Sequence, residues 1–101
     1  MSWIRMAKVG DLQVGGKGCT TSVNNEEIAL FRTADGFRAV QNSCPHRGAP
    51  LAGGHLEGQE LMCPWHGWSF NVHSGACVTS PDQPLKTYPV RVDGDDVYVE
   101  V

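Results

Sequence analysis

Two short segments constrain this chain more than anything else in it. Each pairs one cysteine with one histidine inside a proline- and glycine-bearing stretch: Cys44-Pro45-His46-Arg47-Gly48 and Cys63-Pro64-Trp65-His66-Gly67. Sixteen residues separate His46 from Cys63. Thiolates and imidazoles are soft and borderline metal ligands, and turn residues let them converge. Such loops need a rigid frame to hold them.

The ligand set by itself fits a structural Cys₂His₂ zinc site, so spacing has to decide. Zinc pairs usually leave at least two residues between ligands. Cys44 and His46 leave one. In extended chain, residues i and i+2 point the same way about 7 Å apart, which is awkward for one tetrahedral ion. It is comfortable if Cys44 holds one metal and His46 its neighbour, with Cys63 and His66 divided likewise. That division is what a [2Fe–2S] cluster with two Cys and two His ligands requires. A zinc-stabilised interaction module is the competing reading.

The rest of the chain reads as all-β. Trp3 to Val9 is a first strand, followed by a turn at Val9-Gly10-Asp11-Leu12. Gly18 to Val23 and Glu27 to Arg32 form a hairpin through Asn24-Asn25, residues that tolerate positive φ. Ala34-Asp35-Gly36 turns the chain into a strand from Phe37 to Gln41. Leu85 to Val92 alternates as one strand and pairs with Val97 to Val101 through the Asp93-Gly94-Asp95-Asp96 turn. No long stretch has helical periodicity with caps. From Cys44 to Pro84 the density of Gly and Pro predicts turns and close backbone approaches instead of extended ladders. The expectation is one domain over residues 1–101, with a metal-binding subdomain at about 43–84 inserted into a larger sandwich or barrel.

Composition closes off other classes. Apolar residues make up 41% and charged residues 19%, a globular balance. A net charge of −3 offers no basic stripe for nucleic acid. It suits either a partner with a basic docking face or ordinary solubility. No apolar run approaches the roughly 20 residues of a membrane span, and the first residues lack the apolar core of a signal peptide. The expected location is the cytoplasm, where four cysteines favour metal ligation over disulfides.

The segments Cys44-Pro45-His46-Arg47-Gly48-Ala49-Pro50-Leu51 and Cys63-Pro64-Trp65-His66-Gly67-Trp68-Ser69-Phe70 resemble the two cluster-binding boxes of the Rieske family. Phe31-Arg32 to Val40, the Gly75 turn and Lys86 to Val92 are similar to soluble Rieske ferredoxins and to the small subunit of NAD(P)H-dependent nitrite reductase. The resemblance implies packed antiparallel sheets with one [2Fe–2S] cluster per chain at the tip. Cys44, His46, Cys63 and His66 would be its ligands, and His46 and His66 the electron exit points. Ser80-Pro81-Asp82-Gln83-Pro84 would be a third loop over the cluster. Gly48, Trp65, Gly67, Trp68 and Pro81 are expected around it. The implied role is a single-electron carrier between a flavin-containing reductase and a terminal oxygenase. The alternative is a nitrite reductase small subunit bound to its large chain. No residue is expected to be catalytic.

Departures from the respiratory branch narrow the reading. The positions of its extra, disulfide-forming cysteines are Ala49 and Trp65 here, and those of its Ser and Tyr donors to cluster sulfur are Trp68 and Phe70. Fewer donors predict a potential in the lower part of the Rieske range, about −150 to +300 mV.

Several residues carry simpler readings. Cys19 and Cys77 lie outside both boxes and are expected as small buried hydrophobes. His55 and His73 have no cysteine at ligand spacing and are expected at the surface. Trp65 and Trp68 either shield the cluster or pack the loop. Arg47 is read as a solvated loop residue before a partner contact.

Overall fold

The computed structural model describes residues 2–45, 48–64 and 68–101. Ten strands appear among them: β1 Trp3–Lys8, β2 Cys19–Val23, β3 Glu26–Thr33, β4 Gly36–Gln41, β5 His55–Glu57, β6 Glu60–Met62, β7 Ser69–Asn71, β8 Thr87–Tyr88, β9 Val90–Asp93 and β10 Asp96–Glu100. They form three antiparallel sheets, ordered β1-β10-β9, β2-β3-β4-β8 and β5-β6-β7. No helix among the described residues is long and apolar enough to cross a membrane.

The four-stranded sheet is the central layer, and β3 shows why. Its run Ile28-Ala29-Leu30-Phe31 is fully buried, every residue at 0% exposure. Alternate side chains enter different cores, as the period of two requires. Ile28 and Leu30 pack with Phe37, Ala39, Tyr88, Ala7, Val97 and Val99, facing the β1-β10-β9 sheet. Ala29 and Phe31 pack with Val40, Leu56, Leu61, Phe70 and the cysteines Cys44, Cys63 and Cys77. A strand covered on both faces reads as a continuous apolar run. Each large side chain buried this way contributes about 1.5–3 kcal/mol.

The Asn24-Asn25 hairpin forms as expected, with φ of 52° and 66°. Two expectations need correction. The alternating segment from Leu85 to Val92 is not one strand. Pro89 interrupts it, so that β8 pairs with β4 and β9 with β10 in a different sheet. The stretch from Cys44 to Pro84 is not free of ladders either, since it contains the whole β5-β6-β7 sheet. Each of its strands has three residues with one buried in the middle: Leu56, Leu61 and Phe70. One inward residue per strand is too little alternation to read from sequence.

Candidate metal centre

The two cysteine segments are loops built on the same plan. In the first, Ser43 bridges Pro50, and the Cys44 N–H donates to the Ala49 carbonyl at 2.9 Å. In the second, Met62 pairs with Ser69, and the Cys63 N–H donates to the Trp68 carbonyl at 2.7 Å. Each cysteine is thus the first residue past a closed pair, and each bonds five residues ahead. His46, Arg47, Trp65, His66 and Gly67 lie outside the described residues, within the spans these bonds close.

Gly48 is needed where it stands. Its N–H returns to the Cys44 carbonyl at 2.7 Å, and its φ of +74° lies in the left-handed region. Cys44 and Cys63 are 1% and 2% exposed and belong to one core cluster. The four cysteines form no disulfide. Two buried thiols opening two matched loops fit the sulfur half of a mixed Cys/His site. Trp68 is half-buried against the same core.

Sequence reasoning missed the residue that braces the first loop. Asn42 is 4% exposed and bonds on four sides. Its N–H donates to the Glu27 carbonyl at 2.9 Å, and its carbonyl accepts the Leu51 N–H at 2.6 Å. Its Oδ1 accepts the Ala52 N–H at 2.9 Å, and its Nδ2 donates to Glu27 Oε1 at 3.2 Å. A polar residue just before Ser43-Cys44 was the available signal, but its partners lie 10 and 15 positions away in sequence.

Pro81 occupies the second position of a turn closed by the Gln83 N–H to the Ser80 carbonyl at 3.0 Å, where its fixed φ belongs. Cys77 is buried as expected, at 2% exposure. Cys19 is only half-buried, and burial pushes its thiol pKa up. His55 and His73 are at the surface, His55 within 3.5 Å of Glu57. Beside Ser43, Lys86 pairs with Glu26 at 2.7 Å. That hydrogen bond lowers the Glu26 pKa and raises that of Lys86.

The family model of the Rieske [2Fe–2S] domain matches residues 2–89. The chain is 35% identical over 98 residues to ferredoxin CarAc of Metapseudomonas resinovorans, covering 96% of this chain and 92% of the relative. Its fold superposes with a TM-score of 0.87 on a chain in a complex of reduced oxygenase and oxidized ferredoxin of carbazole 1,9a-dioxygenase. There the identity is 33%, over 96% of this chain and all of that one. A protein assigned as the small subunit of an NADH-dependent nitrite reductase from Mycobacterium tuberculosis superposes with a TM-score of 0.89 at 26% identity, covering 99% and 96% of the two chains.

Proposed function

Since the chain belongs to the Rieske [2Fe–2S] domain family, we propose that it is the ferredoxin component of an oxygenase system, shuttling single electrons in the cytoplasm. The observation that carries this is the near-complete alignment with a ferredoxin of similar size. In this reading the single domain spans 1–101, and the cluster-binding subdomain is about 43–84. A bound [2Fe–2S] cluster supplies one-electron chemistry at a potential raised by its histidine ligands. Cys44 and Cys63 would hold one iron, and His46 and His66 the other. The matched loops orient the two thiolates, and the core of Phe31, Leu61 and Phe70 behind them excludes water. The electron would arrive from a flavin-containing reductase and leave to a terminal oxygenase.

A second reading is supported by the fold shared with the nitrite reductase small subunit, at lower identity. The visible spectrum comes first: a reddish-brown solution bleached by dithionite is expected, and a colourless protein holding one zinc overturns both readings. Stopped-flow mixing of the reduced protein with a terminal oxygenase from the same organism then separates them. Rapid reoxidation is expected. Failure there, with co-purification of a sirohaem protein, favours the nitrite reductase reading.

A further inference from the structure

The segment that follows Gly75 returns to the strand leaving the second cysteine loop. Phe70 bridges Cys77, and the Val78 N–H donates to the Ser69 carbonyl at 2.8 Å. In a regular antiparallel ladder the reciprocal Ser69 N–H would go to the Val78 carbonyl. It goes instead to the hydroxyl oxygen of Thr79, at 3.1 Å. The chain then turns away. The Ser80 N–H donates to Cys77 Sγ at 3.2 Å, and the turn from Ser80 to Gln83 follows. Thr79 is therefore pinned on both sides, and its β-branched side chain is stiff at χ1.

What this hydroxyl holds is the far end of the Cys63 loop. Ser69 follows Trp68, whose carbonyl accepts the Cys63 N–H. From Thr79 to Cys63 there are two hydrogen bonds and one peptide unit between them. We infer that Thr79 is a positioning residue for Cys63, its side-chain oxygen replacing a ladder acceptor so that the loop carrying the thiolate stays closed. Cys77 serves the same brace by anchoring Ser80. The inference rests on the reading of Cys63 as a cluster ligand.

Thr79 is exposed, so changing it does not disturb the core. The test compares the purified, cluster-loaded wild type with Thr79→Val and Thr79→Ser. Valine keeps the shape and removes the acceptor, while serine retains it. Hydrogen exchange read by mass spectrometry over residues 63–70 should quicken about fivefold in Thr79→Val, the effect of losing one typical hydrogen bond. The electron paramagnetic resonance spectrum of the reduced cluster should shift with it, and both should return to wild type in Thr79→Ser. Unchanged exchange and spectrum in Thr79→Val, or no rescue by serine, would overturn the inference. A wild-type protein without an iron–sulfur spectrum would instead remove the ligand assignment, while the exchange comparison still judges the brace.

Discussion

Gly54 lies directly against the carbonyl oxygen of Met62, so close that a Cβ at residue 54 would overlap it. Gly54 ends the turn that follows the first cysteine loop, and Met62 immediately precedes Cys63. This close approach, beside the His55–Met62 pair of the β5–β6 ladder, brings together the segments that flank the two loops. Gly54→Ala should therefore cost about 1–3 kcal/mol, the usual penalty for overpacking, and lower the iron content per chain. Gly53→Ala is the control, since nothing lies within 4 Å of a Cβ there. Thermal denaturation and iron analysis of the two variants check this.

Asn42→Ala removes the acceptor for the Ala52 N–H and the donor to Glu27 inside a closed environment. A buried donor left without a partner costs about 1–3 kcal/mol. The variant should lose that stability in urea unfolding, and the first loop should shed its metal before the domain unfolds. Retention of full stability would mean water replaces the side chain.

Cys44→Ser and Cys63→Ser should each abolish the visible spectrum of the purified protein. Cys19→Ser should leave it intact, because Cys19 packs at the edge of the other core. Loss of colour in Cys19→Ser alone would contradict the assignment of the ligands.

Phe70 is fully buried among Cys44, Cys63 and Cys77 without a hydroxyl, and Trp68 beside it has none to offer a cluster sulfur. Fewer hydrogen bonds to sulfur leave the reduced cluster less stabilised. Protein-film voltammetry should give a midpoint at or below about 0 mV, in the lower half of the range for such centres.

Asp35 accepts hydrogen bonds from Thr33 Oγ1 at 2.6 Å and from Gln59 Nε2 at 2.7 Å, and these hold its carboxyl below the usual carboxylate range. A depressed folded-state pKa contributes stability above the unfolded value and loses it as pH falls through the folded one. Asp35→Ala should therefore lower Tm at pH 7, with the gap to wild type narrowing on acidification. A gap that widens in acid would mean that folding raises the Asp35 pKa instead. The Gln59 bond also ties the β3–β4 turn to the β5–β6 turn, joining the four-stranded sheet to the β5-β6-β7 sheet.

The paired cysteine–histidine segments that mark the chain as a Rieske [2Fe–2S] domain stand out in the sequence because their information is local. Cys44 and His46, and Cys63 and His66, lie two and three positions apart, and their flanking Pro and Gly announce the turns. The Asn24-Asn25 and Asp93 to Asp96 hairpins were legible for the same reason. The β5-β6-β7 sheet was not, since three-residue strands carry no periodicity. Nor was the break at Pro89, which matters only because β4 and β10 offer different edges on either side of it.

Alone, then, the order of residues determined the family, the all-β class and the kind of chemistry, all set by neighbours a few positions apart. Tertiary structure decided how the two loops are held: Asn42 reaching Ala52 and Glu27, Gly54 meeting Met62, Thr79 capping Ser69. These contacts join residues 8 to 15 positions apart. They exist only once the sheets have packed, because hydrogen bonds and steric fit depend on distance in space.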